Sequence, residues 1–346
     1  MKLRLVELLA CPACGDGSFQ LSIEHAEERE VWSGHIEPDE EIPGVVNGRL
    51  TEVRSGHLTC TECAARFPIV DGIPRLLLPD AVAAPGTGHQ LTQFEVAAPE
   101  FEDNFKDLLD PVLPEAFLGR TVLDAGCGFG RHAYFAARYG AEIVGLDASE
   151  EAVRAAAHNL RDSLRAHVVL GDVARPPFRK DAFDLVYCFG VLHHVADPPA
   201  AFSALNALVK SGGRFSVWAY GPRQGFTRIA TGALRGATEQ MTSDQLLRTS
   251  QFIAGALRIF SHTPHRFLGA APVLGSLVTH LPVHDHSRWP FEVVVADIYD
   301  RLRIPVTAYF MSEDFERWYA EAGYADIQVS RRVRNTESFR GTGVKR

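Results

Sequence analysis

The stretch TVLDAGCGFGRHAYFAARYG, residues 121–140, decides the fold. A short apolar run of strand type ends in glycines and passes directly into a helical pattern. Asp124-Ala-Gly126-Cys-Gly128-Phe-Gly130 is therefore a strand-to-helix turn, where glycine lets backbone and ligand approach more closely than a Cβ would permit. Outward from it, AEIVGLDAS (141–149) is a second strand and EEAVRAAAHNLRDSL (150–164) a helix. HVVLGD (167–172), FDLVYCFG (183–190), a helix PAAFSALNALVK (199–210) ending at Ser211-Gly212-Gly213, and RFSVWAY (214–220) continue the series. Strands alternating with helices of this length predict βαβ units, a parallel sheet and an α/β doubly wound domain. Ligands are expected beyond the carboxyl ends of its strands. A helix from an N-cap at Ser312 to Gly323, then strands at 325–331 and 338–345, complete the domain.

Three carboxylates accompany the turn. Asp124 opens it. Asp147 ends the second strand, where a carboxylate can accept both ribose hydroxyls. Asp172 follows the third, where one can accept from an adenine amino group. Together with Phe183–Pro198, this ordered set resembles the class I S-adenosylmethionine-dependent methyltransferases, over residues 93–220 and 312–346. A dehydrogenase would show G-x-G-x-x-G, and here the loop reads G-C-G-F-G. The resemblance implies a Rossmann-like sheet and S-adenosylmethionine as cofactor. It further implies Gly126, Gly128 and Gly130 around the methionine portion with Asp124 nearby, Asp147 on the ribose, Asp172 and the Val173 N–H on the adenine, and Phe189 along the path to the reactive methyl. Cys127 then reads as a small filler.

His193 and His194 follow the fourth strand, where acceptor and methyl should meet. Either can act as general base, because histidine titrates near neutrality; local packing of VLHH is the equal alternative. The Asn-Pro-Pro-Tyr type of N-methylating signature is absent, Cys188-Phe189-Gly190-Val191 standing in its place.

Cys11-Pro-Ala-Cys14 and Cys60-Thr-Glu-Cys63 supply four thiolates in two tight hooks, a donor set suited to one closed, structural zinc. The long interval between the hooks requires an insertion or an extra hairpin. LLACPAC and LTCTECAARFPIVDGIPRLLL resemble the small zinc-ribbon proteins that partner tRNA, rRNA and release-factor methyltransferases, over residues 3–14 and 57–78. The resemblance implies that the ribbon stabilises or activates rather than performs chemistry. Residues 1–78 carry 7 basic and 13 acidic side chains, which argues against nucleic acid as their partner.

The chain has 346 residues, 46% hydrophobic and 23% charged, with a formal charge of −8. This is a globular composition without the electrostatic footprint of a polyanion binder. No apolar run is long enough for a membrane span, no signal peptide is evident, and the cysteine pattern suits a reducing cytoplasm.

The expected organisation is a zinc ribbon (1–78), a linker (79–92), a cofactor-binding core (93–220), a helical lid or substrate insertion (221–311) and a completing helix and strands (312–346). The insertion is basic, with 9 basic against 6 acidic residues over 220–303. His262, His265, His280, His284 and His286 gather in it; Arg288, Trp289, Phe291 and Tyr309 suit an aromatic or carboxylate-bearing acceptor, and His284 and His286 are further substrate candidates. Its arginines can equally pair with the acidic ribbon. Arg331, Arg332 and Arg334 read as a solvated strand edge.

The expected function is methyl transfer to a small-molecule oxygen or nitrogen. An RNA or protein methyltransferase, a cyclase or lyase using the same cofactor, and a non-catalytic ligand-binding protein remain alternatives. The oligomeric state stays open, a homodimer included.

Overall fold

A computed structural model of the chain describes residues 1–15, 17–31, 45–81, 97, 99–222, 234–238, 240–268, 289–303, 308–332 and 338–346. Most of the linker, His280, His284, His286, Arg288 and Arg334 lie outside the described residues.

The long interval between the cysteine hooks is spent on a hairpin. After a short helix α1 (Leu5–Leu8), β1 (Phe19–Glu30) pairs antiparallel with β3 (Arg49–Cys60), from Phe19 opposite Cys60 to Glu30 opposite Arg49. The two-residue β2 (Val45–Val46) pairs on β3, and β4 (Arg66–Val70) and β5 (Ile73–Pro74) follow it. Strand β3 buries Leu58 and Cys60 in strand alternation, while Leu50, Val53 and Gly56 recur every third residue, with register shifts against β1 between Val53 and Gly56.

The second sheet has seven strands: β6 (Thr121–Ala125), β7 (Glu142–Asp147), β8 (Ala166–Leu170), β9 (Phe183–Phe189), β10 (Val209–Tyr220), β11 (Tyr324–Arg331) and β12 (Ser338–Lys345). Their spatial order is β11-β12-β10-β9-β6-β7-β8. Strand β12 runs antiparallel to both neighbours and the other core pairings are parallel. This is the Rossmann-like sheet of class I methyltransferases, joined to a small cysteine-bearing sheet. The order reverses between β6 and β9, so the crevice at their carboxyl ends is the topological switch point. Helices α2 (Pro99–Leu109), α3 (Arg131–Arg138), α4 (Glu150–Asn159) and α5 (Pro198–Asn206) cover the sheet. The apolar face of α2 buries Phe101, Phe105, Leu108 and Leu109.

Three expectations are corrected. The helix after the fourth strand ends at Asn206 rather than Lys210, because Val209 pairs with Phe183 and the chain is already strand. The N-cap of the later helix, Ser312–Glu321, is Met311 rather than Ser312, with the Asp314 carboxylate accepting the Met311 N–H at 2.9 Å. Arg332 is not a solvated edge. It is 7% exposed, donates to Asp107 and Asn104, and stacks over Trp218, while buried Arg340 reaches Asp107 and Asp110 from the next strand.

The two sheets meet at the β8 edge. Leu76 N–H donates to Leu170 O at 2.8 Å and Arg75 bridges in parallel to Leu170, so the end of the small sheet extends the large one. Ala10 N–H donates to Pro177 O and Arg179 N–H to Leu8 O, closing a second seam. Leu5, Leu9, Leu58 and Leu76 share one apolar cluster with Leu146, Val169 and Phe178. Charge seals its rim: Arg75 and Glu150 form a bidentate pair at 2.6 and 2.7 Å, and Arg175 and Asp80 another at 3.0 and 2.9 Å. The ribbon's charges thus run to the core. Two of the insertion arginines are engaged locally, Arg235 on Arg301 O and Arg258 on Trp289 O.

Candidate functional site

The glycine turn leaves β6 and enters α3 through three positive-φ glycines, Gly126, Gly128 and Gly130. Gly126 is obligatory twice over. Its φ is +87°, and a Cβ there would lie 2.1 Å from Val191 Cγ2 in the loop after β9. Gly126 and Cys127 N–H both donate to Leu146 O, and Gly128 N–H donates to Asp147 Oδ2 at 2.9 Å. The turn is thereby fastened to the end of β7. A Cβ on Gly128 would meet nothing, so space opens there. Cys127 is buried, and burial together with Asp147 and Asp124 pushes its thiol well up, away from nucleophilic use.

Asp147 holds its carboxylate between the Gly128 and Ser149 amides, each at 2.9 Å. Burial raises its pKa and those amides oppose the rise. Ser149 then caps α4 by accepting the Ala152 N–H, which aims the helix N-terminus at the same place. Asp172 lies two residues past β8 and accepts the Ala174 N–H at 2.8 Å, folding Asp172–Arg175 into a tight loop with Val173 buried beneath.

Asp124 is the anomaly. It is 1% exposed, and its Oδ2 has no hydrogen-bond partner among the described residues. Burial pushes its carboxyl up to about 8; the Tyr187 hydroxyl beside it opposes the shift and Asp147 adds to it. Tyr187 Oη, beside Asp124, and His132 Nε2, whose ring meets Phe189, are also buried without a hydrogen-bond partner by distance and angle among the described residues. Burial keeps His132 neutral, stacked on Phe105 at 5.2 Å. A buried polar atom with no protein partner is costly unless a bound group supplies one. Phe189 belongs to this aromatic wall, stacked on Tyr187 at 5.0 Å. Sequence reading missed Tyr187, His132, Val191 and Trp218; position at a strand's carboxyl end or just after the turn was the only signal for them.

The structure separates the two histidines. His193 is 1% exposed and packs between His194 and Tyr220, with ring centroids at 4.1 and 4.2 Å. Its Nδ1 accepts the Tyr220 N–H at 3.5 Å, which assigns its proton to Nε2. His194 is half-buried. Ala308 N–H reaches His193 O at 3.5 Å and Phe310 N–H reaches Tyr220 O at 2.9 Å, bringing exposed Tyr309 to the same end of the sheet. Trp289 instead packs edge-on against Phe101 at 6.5 Å.

At the ribbon, Cys11, Cys14, Cys60 and Cys63 place their sulfurs within 4.8 Å of one another. Two pairs stand at 3.7 Å, too far for a disulfide and close to the edge of roughly 3.8 Å for a tetrahedron of Zn–S bonds. Gly17 closes the cluster, where a Cβ would lie 2.1 Å from Cys60 Sγ. The donors fit one tetrahedral thiophilic ion.

Residues 123–217 match the family described as methyltransferase domain, and residues 2–72 match the Trm112p-like proteins. A ubiquinone biosynthesis O-methyltransferase of Pectobacterium carotovorum is 34% identical over 144 residues, 37% of this chain and 60% of that protein. Another, from Psychrobacter cryohalolentis, is 38% identical over 101 residues, 28% of this chain and 38% of that protein. The chain thus spans about 60% or less of these relatives. Magnesium protoporphyrin IX methyltransferase of Synechocystis PCC 6803 with bound SAH superposes with a TM-score of 0.41 at 18% identity, covering 75% of this chain and 84% of that one.

Proposed function

From a methyltransferase domain at residues 123–217 and a Trm112p-like domain at residues 2–72, we propose that this chain transfers the methyl group of S-adenosylmethionine to the hydroxyl oxygen of a small molecule. The observation that carries the reading is the ordered set at the carboxyl ends of β6, β7 and β8: the glycine turn with Asp124, then Asp147, then Asp172. The O-methylation named for the ubiquinone relatives supports the acceptor class.

The residues fit the cofactor. Asp147 would hold the ribose hydroxyls, since each carboxylate oxygen keeps a lone pair beyond its backbone bond. Asp172 and Val173 would bind the adenine edge, and Gly126, Gly128 and Gly130 would shape the methionine end. An ammonium group is the natural partner for the unpaired Asp124 Oδ2, because it would draw the carboxyl back to the anion. When bound, the cofactor supplies an activated methyl on a sulfonium. The chain's contribution is alignment and exclusion of water. Phe189 and the aromatic wall keep the methyl's surroundings dry.

His194, half-buried beyond β9, takes the acceptor's proton; His193, with its proton on Nε2, holds the loop against Tyr220. Tyr309 lies at the acceptor side, and Trp289 buttresses the lid against α2. His284, His286 and Arg288, outside the described residues, are further acceptor candidates by their chemistry alone. Four thiolates hold one structural zinc.

The ribbon's part is to brace. Arg75 grips Glu150 three residues beyond Asp147, and Asp80 grips Arg175 three beyond Asp172, so one strap spans both cofactor loops.

Two results test this reading. Purified chain should bind S-adenosylmethionine by calorimetry and methylate members of a catechol and phenol panel. His194→Ala should lower kcat by about 10²-fold with cofactor affinity unchanged, the usual scale of general-base loss. Unchanged turnover in that variant would remove the base, and absent cofactor binding would remove the activity.

Asp124 adds a pH signature. Its folded pKa, about 8, lies above the ordinary carboxylate value. Between pH 4 and 8 the unfolded chain has released this proton while the folded one retains it, so stability without cofactor falls as pH rises through that window. Asp124→Asn removes the cost. The variant should melt close to the parent near pH 4 and be more stable above pH 8, by on the order of a few kcal/mol. Parallel melting curves across the range would contradict the buried, unpaired carboxyl.

A further inference from the structure

We propose that the outer face of the lid helix binds the anionic surface of a lipid bilayer, the chain lying on the membrane rather than crossing it. Residues 243–268 form one helical run: Ser243–Leu257, a π turn Arg258–His262, and Thr263–Leu268. The inner face is a core face. Leu246 and Ala254 are buried, and Leu247, Ile253 and Leu257 pack on the cluster that holds Trp289, Val293 and Val294. Among the described residues, the outer face has no such cover. Phe252 (78%), Phe260 (74%) and Phe267 (78%) are the three most exposed large apolar side chains described anywhere in the chain, and Ile259 joins them at 64%. Ile259, Phe260 and Phe267 follow Phe252 by 7, 8 and 15 residues, near whole helical turns, and all four are exposed, away from the buried face of the run.

Their chemistry is specific. Arg248 and Arg266 border the same flank, both exposed, and no described carboxylate pairs with either. Between residues 234 and 268 the chain carries four arginines and two acids, inside a protein of net charge −8. An aromatic stripe edged by arginine on an otherwise acidic molecule matches an interfacial helix: rings enter the headgroup boundary and guanidinium groups meet anionic phosphates. No described helix is long and apolar enough to cross a bilayer, which suits a surface mode.

The helix is fixed to the core from its inner side, where Arg258 donates to Trp289 O and Trp289 packs on Phe101 of α2. The docking does not rest on the proposed methyl transfer.

The test is flotation of the full, zinc-loaded chain with phosphatidylglycerol–phosphatidylcholine vesicles and with phosphatidylcholine alone. Flotation with the anionic vesicles, weakened by salt, is expected. Phe252→Ser combined with Phe260→Ser and Phe267→Ser should lower partitioning about tenfold or more, with the melting temperature kept because the side chains are exposed. Arg248→Glu with Arg266→Glu should lower it on anionic vesicles specifically. Absence of flotation, or flotation equal in parent and triple-serine variant, overturns the proposal. So does a parent dimer that the serine variant converts to monomer in sedimentation without vesicles, which would assign the face to a second copy. A chain that floats but transfers no methyl leaves the docking standing and refutes the activity.

Discussion

Cys60→Ser is expected to release the metal and unfold the ribbon, the largest single effect available in this chain. A closed four-thiolate zinc site contributes apparent folding free energy on the order of 10 kcal/mol in small zinc modules. The small sheet is expected to depend on that contribution. Its strand β1 is exposed along most of its length, so little apolar area is buried at that end. The damage should spread. Leu9, Leu58 and Leu76 lie in one cluster with Leu146 and Val169 of the large sheet, and Leu76 N–H occupies the Leu170 carbonyl at the β8 edge. Losing the ribbon exposes both that apolar surface and an unpaired strand edge. Metal analysis should read about one zinc per chain in the parent and well under half of that in the variant. Calorimetry should show an early transition followed by a lowered main one. A variant that keeps full metal content and the parent's melting profile would refute the four-thiolate site.

Asp147→Ala should weaken S-adenosylmethionine binding by about 10²-fold or more, the scale of two charge-assisted hydrogen bonds lost together. The same carboxylate fastens the glycine turn through Gly128 N–H and starts α4 through Ser149 N–H, so alanine removes a brace as well as a ligand. Asp147→Asn keeps one of the two backbone bonds, because its single oxygen can accept from only one of the Gly128 and Ser149 amides, and it forfeits the charge toward the ribose. It should bind weakly while melting between the parent and the alanine variant. Calorimetric titration alongside thermal unfolding reads both. Parent-like affinity in the asparagine variant would reassign the ribose partner.

Both predictions come from features that local sequence already carried. The glycine turn and the C-x-x-C hooks are legible because their constraints are local: a positive φ, a tight knuckle and the few residues that complete them. The alternation of strands and ten-residue helices is local too, and it specified a doubly wound sheet with its ligand crevice. Where reading by pattern slipped, a distant partner was responsible. Val209 looked like the last turn of a helix until Phe183 paired with it.

What the tertiary structure alone decided is which of these groups are buried, and against what. VLHH offers two equivalent histidines on paper; packing between Tyr220 and His194 makes His193 a braced core residue and leaves His194 half-open. Arg332 belongs to a basic run that looks solvated, yet Asp107 and Asn104 arrive from more than two hundred residues away to hold it inside. Arg75 and Glu150, and Asp80 and Arg175, are ordinary surface charges in sequence that become a strap beside the loops of Asp147 and Asp172. Desolvation and charge pairing depend on what folds against a residue, not on its neighbours in the chain. Sequence alone therefore named the residues of the candidate site, and the fold decided their burial, bracing and exposure.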